Sequence, residues 1–553
     1  MLKIVAKLRR AYLGLGMSMK EYLTKVALPM LGVSAMLWLV FILGLVPMLP
    51  SFIGWLFPVA GVLLVVFYPM LNAAKRAHEI DINMHYFITQ MGALITADIP
   101  RLKLLEMLGK NEKFGALAEE ITEVHFLMDT WHLSLPEACR FVGSRTPSTL
   151  LADFLDRFAH SVQSGEDTKE FLRSEQTTVM ADFEQMYLAA LKTVDVVKEA
   201  FMSLVMALIF LASFGVIMPI IMGGDSTVLL LIVLVMFIVV DVVVVYMVKL
   251  KVGNDPLWHQ LKIETDAERR LKRTFPISIV GCTVVGFLLV FASDVPPSLL
   301  IAMTLTPLAY TGWVAKGIES EIIRRDNNYA AFIRSLGSSA SARGGLITDA
   351  LATLRMHDFG PLTDDIHKLY KRLLTRLNKY LAWDMFSAGT GSNLIQRFSI
   401  MFVEATDLGG KPDVIGHIIS ENFHRVVLLR KHKYQSASSF IGVLYGLTAG
   451  IAFTMFISVS ITEVIQGLYQ TMEVPAGMET GFALSMGAVN VETVRLVVLF
   501  ILVVHSFLSS LLVRTVDGGH IFNTYLHFVG MVWISAMSAI ITSVSIHKLL
   551  GIA

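Results

Sequence analysis

The sequence predicts an all-α polytopic membrane protein with about nine transmembrane helices and two homologous helical-bundle domains on the cytosolic side. Three observations carry that expectation. First, of 553 residues 54% are hydrophobic and only 16% are charged, with a mean hydropathy of +0.63. A chain this apolar has too little polar surface to enclose a soluble core, and its apolar runs are near the length that crosses a bilayer. Second, two long polar stretches separate those runs. In them apolar residues recur at spacings of three and four, as in Leu102, Leu105, Leu108 and Phe154, Phe158, Val162, with almost no strand-like alternation. Third, one stretch of the chain occurs twice, and a repeat has to be recognised before anything else is assigned.

The repeated stretch is HYFITQMGALITA at 85–97 and AAFIRSLGSSASA at 330–342. Phe87 falls on Phe332, Ile88 on Ile333, Met91 on Leu336, Gly92 on Gly337, Thr96 on Ser341 and Ala97 on Ala342. The aromatic, aliphatic and small residues sit at helical spacing and share one face, so Phe87, Gly92, Phe332 and Gly337 are expected in the core of each copy. Gly92 and Gly337 would let a neighbouring helix come close. Each copy ends in helix punctuation, Asp98-Ile99-Pro100 in one and Arg343-Gly344-Gly345 in the other. The second halves also correspond: Arg157 with Arg397, Phe158 with Phe398, Gly165 with Gly409 and Gly410, and Glu175 with Glu421. Each of those glycines is placed to end one helix before the next begins.

Taken in order, residues 1–26 form a basic amphipathic segment, with Lys3, Lys7, Arg9, Arg10, Lys20 and Lys25 against one Glu21. It is expected to lie on an anionic leaflet. No A-x-A site follows it, so a cleaved signal peptide is not indicated. A transmembrane hairpin at 27–71 follows, with spans at 27–45 and 52–71. The first helical domain occupies 72–198. A second hairpin, 199–248, has spans at 201–222 and 227–248, and a basic link covers 249–275. A third hairpin, 276–314, has spans at 276–292 and 297–314. The second helical domain is 315–433. Three spans at 440–459, 496–513 and 524–546 complete the chain, with an external loop at 461–494. Basic residues gather in the N-terminal segment, both polar domains and the 249–275 link, whereas 461–494 contains no Lys or Arg up to Val494 and carries Glu463, Glu473, Glu479 and Glu492. The positive side is expected inside, so the N-terminus is cytoplasmic and the C-terminus outside.

The search for chemistry gives little. There is no phosphate-cradling G-x-x-x-x-G-K-[ST] loop, since Lys411 is followed by Pro412 and Lys110 by Asn111. H-E-x-x-H, C-x-x-C and G-x-S-x-G are absent, and Cys139 and Cys282 read as separate core cysteines. No catalytic, cofactor or metal residue is indicated, and any energy for work must come from a partner. The neutral balance, 46 Lys and Arg against 45 Asp and Glu, gives no reason to expect nucleic acid. Inside the apolar spans two ionisable residues stand out, Asp241 and His505. Burying them in lipid is expensive, so each is a functional candidate, with a structural hydrogen bond between helices as the plainer reading. Two such groups are few for a transport path, and no Gly/Pro-interrupted helix pair of the transporter kind is evident.

Two further patterns concern contacts. Gly442, Gly446 and Gly450 on one span, and Ser535, Ala539 and Ser543 on another, place small residues four apart, a spacing that lets helices pack closely in lipid. The contact could be within one chain or across a homodimer, and a homodimer is expected. The two polar domains also differ in charge. Residues 72–199 hold 13 Lys and Arg against 20 Asp and Glu, while 315–433 hold 17 against 12. The excess collects at Arg425, Arg430, Lys431 and Lys433, which abut a span and read as topology, and at Lys368, Lys371, Arg372, Arg376 and Lys379 in mid-domain. In one helix those five would share a face. They are the candidate docking surface for an acidic partner.

The F-x-x-x-[ML]-G…A-x-x-[PG] pattern, at Phe87, Met91, Gly92, Ala97 and Pro100 and again at Phe332, Leu336, Gly337, Ala342 and Gly345, resembles the F domain of type II secretion and type IV pilus machines, the inner-membrane platform proteins. Two such domains, each preceded by its own hairpin over essentially the whole chain, look like the archaeal form of the family, the archaellum assembly platforms. Asp98 stands where the family often has glycine. The resemblance implies a non-catalytic scaffold under a growing filament. Its cytosolic domains would engage a hexameric secretion-type ATPase, and filament subunits of the archaellin or pilin kind would be drawn from the lipid bilayer; in an archaellum the same contact could transmit torque. Two other readings are kept open, the platform of an archaeal adhesion pilus or secretion system and, more distantly, a secondary transporter.

Overall fold

The computed structural model describes residues 19–42, 55–222, 226–252, 255–291, 295–471 and 490–549. Most of the 1–26 segment, the turns near Pro50, Asp225 and Asp294, and most of the 461–494 loop lie outside the described residues. Among the described residues every regular element is a helix; the extended backbone amounts to one antiparallel bridge between Trp258 and Ser392. The chain divides into two units. One comprises residues up to 184 together with 404–418; the other comprises 185–403 and 419 onward.

In the first unit α1 (Leu28–Ile42) and the start of α2 (Leu56–Leu94) pair as a hairpin, with the Tyr22 hydroxyl donating to Val65 O at 2.5 Å. The second half of α2 leaves the apolar run and enters the first helical module, with α3 (Arg101–Gly109), α4 (Ala116–Asp129), α5 (Leu135–Arg145), α6 (Thr149–Ser164) and the start of α7 (Thr168–Met222). Phe87 is fully buried, with the rings of Phe114 and Phe154 at 6.1 and 5.8 Å. Gly92 lies against Gln176, and a Cβ there would sit 3.0 Å from its Nε2. Asp98 has φ 55°, ψ 32°. It holds the left-handed turn that glycine would ordinarily take, one of the few places where an Asp is tolerated. Gly165 ends α6 the same way at φ 74°.

The second unit contains the rest of the spans and the second module. Four helices, α7, α8 (Ser226–Val252), α16 (Pro412–Thr471) and α17 (Val491–Asp517), bury one core containing Phe201, Phe237, Phe440, Leu444, Ile451, Met455 and Leu502. Beside it α10 (Pro297–Leu305) and α11 (Leu308–Ala342) pack on α18 (Thr524–Leu549) through Ala302, Phe528, Val529 and Val532. Helix α9 (Asp266–Val290) begins with a capping box between Thr265 and Glu268. Past the membrane stretch, α11 runs into the second module, with α12 (Ile347–Leu354), α13 (Thr363–Leu374), α14 (Lys379–Thr390) and α15 (Asn393–Asp407). Phe332 is fully buried there, with Phe359 and Phe386 at 5.5 and 5.9 Å. Gly337 lies in the same buried face of α11.

Six described helices are long and apolar enough to cross a membrane, and α10 with α11 makes a seventh if that bent pair is one span. These correspond to the seven runs expected between 201 and 546. The runs at 27–45 and 52–71 fall in α1 and α2 and partly outside the described residues. A single span was expected at 297–314, and the chain bends within it: α10 and α11 meet at 43°. Pro307 is the cause, because it supplies no N–H and its ring clashes with the preceding turn.

The glycine run also departs from expectation. A Cβ at Gly442, Gly446 or Gly450 would meet nothing within 4 Å, and the packed face of α16 is the one bearing Phe440, Leu444, Ile451 and Met455. Bulk, not smallness, makes that contact. Ser535 is buried, with its hydroxyl donating to Met531 O of its own helix at 3.1 Å, and Ala539 is half-buried at the edge of the four-helix core. The close approach is at Gly312 instead, where a Cβ would lie 2.5 Å from Leu526 N. Gly312→Val should therefore destabilise by about 1–3 kcal/mol or more, since backbone blocks the added atoms. Gly446→Ile should stay within about 0.5 kcal/mol. Thermal unfolding of the detergent-purified protein checks both, and equal losses would contradict this assignment of faces.

Candidate functional site

The two intramembrane ionisable residues are partners. Asp241 on α8 and His505 on α17 are 1% and 0% exposed, with Oδ2 and Nδ1 2.9 Å apart. Ser509 Oγ stands 3.4 Å from His505 Nε2, and the rings of Phe201 and Phe237 lie 6.5 and 5.4 Å from the imidazole. The pair joins two helices in an apolar surround where neither side chain reaches water.

The five basic residues of mid-domain are split between two helices, which corrects the single face expected for them. Lys368, Lys371 and Arg372 lie on α13, which ends at Leu374. Arg376 has φ 57° in the turn, and Lys379 opens α14. Asn378 stops the helical run: its side chain accepts from Tyr380 N and Leu381 N and caps α14. Lys368, Lys371, Arg376 and Lys379 are exposed and Arg372 half-buried. Lys368 also stands 3.9 Å from Asp365, which is buried beside Arg325 at 3.4 Å.

Two basic residues taken for topology are internal. Arg430 and Lys433 of α16 have side chains 3% and 2% exposed. The reason is a set of carboxylates that sequence spacing cannot reveal. Arg430 Nη2 donates to Asp255 Oδ1 at 2.5 Å and Nη1 to Asp326 Oδ2 at 3.4 Å, and Lys433 donates to Asp255 Oδ2 at 3.3 Å. Burial would raise Asp255, but the two cations outweigh it and hold its carboxyl well below the usual range. Asp326 is pushed up to about 6, chiefly by burial, with Arg430 and the Ser392 hydroxyl pulling the other way.

Asp326 has a counterpart that the repeat could have revealed. Asp81 occupies the same place in the first copy. Ser148 Oγ donates to Asp81 Oδ1 at 2.5 Å while accepting from Leu151 N, and Ser392 Oγ donates to Asp326 Oδ1 at 2.5 Å while accepting from Ile395 N. In each module a serine capping the fifth element is tied to the long first helix. Asp81 too is raised, mainly by burial.

Next to this cluster is Glu319 on α11, 4% exposed. Its carboxylate accepts from His520 N at 2.5 Å, Asn523 Nδ2 at 2.9 Å and Trp258 Nε1 at 3.4 Å. Burial pushes its pKa up to about 7, helped by Asp517 and opposed by those donors. Among the described residues no three His, Cys, Asp or Glu gather as a metal would require. The site holds charge in place between a helical module and the ends of membrane helices.

Comparison with known proteins gives two kinds of match. The family described as Type II secretion system, protein F, matches residues 87–219, a match that begins on Phe87 of the repeat. Flagella accessory protein J of Methanocaldococcus jannaschii is 35% identical over 97% of this chain and 97% of its own length. Flagella accessory protein J of Methanococcus voltae is 36% identical over 87% of this chain and 88% of its own. No solved structure matches.

Proposed function

Because the chain belongs to the flagella accessory protein J family of type II secretion F-domain membrane proteins, we propose that it is the non-catalytic platform of an archaellum, coupling a cytosolic ATPase to the insertion of filament subunits and to rotation. Membership makes it a multi-pass membrane platform of a type IV pilus-like system. The observation that carries the finer reading is end-to-end similarity to two proteins named for flagella, which favours an archaellum over an adhesion pilus. Both helical modules face the cytosol in this reading, on the side of the basic residues, with the N-terminus inside and the C-terminus outside. Energy comes from a hexameric secretion-type ATPase, and archaellin-like subunits reach the platform through the bilayer. The platform works as a homodimer.

The ATPase contact is assigned to the second module, at Lys368, Lys371, Arg372, Arg376 and Lys379. The support is the charge excess and their exposure around the turn between α13 and α14. Each exposed charge adds on the order of 1 kcal/mol or less, and such contacts weaken with salt. Reversing Arg372, Arg376 and Lys379 together to Glu in the full-length protein should weaken ATPase binding roughly tenfold or more at low ionic strength. The difference should shrink at high salt. Titration of ATPase onto detergent-solubilised protein at two ionic strengths measures it; equal binding at both would mean that the contact lies elsewhere, starting with the acidic first module.

A further inference from the structure

We infer that residues 255–260 are the transmission element of the second module, passing displacement of the turn between α14 and α15 to the turn between α17 and α18. The inference rests on the platform reading, because it needs a partner that moves the module.

The link has no helix of its own, yet it is bonded on both sides. Toward the module, His259 N donates to Gly391 O at 2.9 Å, Asn393 N donates to Leu257 O at 3.0 Å, and Gln260 N donates to Gln396 Oε1 at 2.9 Å. These bonds lay Trp258 against Ser392 as a single antiparallel rung. The turn they grip is itself fixed. Gly391 has φ +76°, a Cβ there would be 3.0 Å from Ile322, and Ser392 is tied to Asp326. Link and turn can only move together.

On the other side the link meets the ends of membrane helices. Asp255 holds Arg430 and Lys433 on α16, and its carbonyl also accepts from Lys433 Nζ at 3.4 Å. Gly518, which ends α17 at φ +77°, lies so close that a Cβ would be 3.0 Å from that same carbonyl. The Trp258 ring is 5.3 Å from the His520 ring, and its Nε1 shares Glu319 with His520 N and Asn523. A relative shift of module and turn would leave several of these buried groups without partners, at about 1–3 kcal/mol each. A close-packed joint of this kind moves as a body instead of yielding locally.

The joint also has an input. Helix α14 starts at Lys379, the last residue of the basic run, and ends at Thr390, next to Gly391. A partner that engages the run and pulls on α14 pulls the turn that holds the link, and through it the turn at 517–523.

Ile521, 45% exposed, is a place for a reporter. Cys139 is buried, so Ile521→Cys in a Cys282→Ser background leaves one reactive thiol. Its rate of alkylation would be followed in nanodiscs, with and without the ATPase and a non-hydrolysable ATP analogue. The rate should change at least threefold when the ATPase binds with nucleotide. Trp258→Phe, which removes the bond to Glu319, and Gln396→Leu, which removes the side-chain bond among the three on the module side, should each reduce that change while ATPase binding persists. Unfolding midpoints identify a variant that has lost its fold, and Trp258→Phe, the milder change, then decides. Binding with an unchanged alkylation rate, or a full change retained in both variants, would overturn the inference alone. Failure of the unmodified protein to bind the ATPase would instead strike down the platform reading and this inference with it.

Discussion

Arg430→Met is expected to destabilise the second module strongly. The guanidinium bonds to both Asp255 and Asp326, and it also donates to Pro256 O at 3.3 Å. With it gone, two buried carboxylates face each other across a gap, and only Lys433 remains, beside Asp255. Breaking a buried pair from one side costs about 3–5 kcal/mol, because the stranded charge cannot return to water. That is a large part of the about 5–15 kcal/mol that holds a typical domain together. The matched control is Arg425→Met five residues earlier on α16, whose ion pair with Glu421 at 3.0 Å involves side chains 29% and 50% exposed. That change should cost no more than about 1 kcal/mol. Adding Asp255→Asn and Asp326→Asn should recover part of the Arg430→Met loss. Unfolding in detergent, by heat or denaturant, measures all of these. If Arg430→Met were as stable as Arg425→Met, the buried cluster would have no structural role.

Stability is expected to fall between about pH 4.5 and 7 through Glu319. Its ordinary value is 4.5 and the folded environment pushes it up to about 7. The folded protein therefore binds this proton more tightly than the unfolded chain does. The stabilisation is fully present below about pH 4.5, declines as pH rises, and is gone once the pH passes about 7. A shift of this size corresponds to roughly 3 kcal/mol. Asp326, also raised, titrates in the same window, so the informative quantity is the difference between wild type and Glu319→Gln. The variant should lose stability less steeply over that range. The groups facing Glu319 are Trp258, Asp517, His520 and Asn523. Parallel pH profiles for the two proteins would show that the carboxyl is ionised throughout.

Much of the architecture was legible because it is written in local chemistry. Apolar runs between 201 and 546 reported the six or seven helices long enough to cross a membrane, and Gly165, Gly409 and the Gly344-Gly345 pair take positive φ where the sequence places helix ends. Even Asp98, the odd residue of the pattern, adopts the backbone that its position demands. What failed was direction around a helix. In lipid every face of α16 can be apolar, so periodicity does not say which face is used, and small-residue spacing shows only that close approach is possible. The basic run failed for another reason: a row of charges hides a turn, and the Asn378 cap that ends the run was not read from the sequence. The cluster of Asp255, Asp326, Arg430 and Lys433 joins residues 71 to 178 apart in sequence. No spacing rule reports that, although Asp81 and Asp326 lay in register within the repeat and could have been paired.

Helix α16 contains no proline after its first residue and is continuous for 60 residues. At 1.5 Å per residue it is a rod of about 90 Å. A stiff rod of that length acts as a lever. Tilting it by about 4° about one end moves the other by about 6 Å, roughly four residues of helical rise. Rotations too small to disturb side-chain packing at one end thus become steps on the scale of a helix turn at the other, and the gearing comes from length alone.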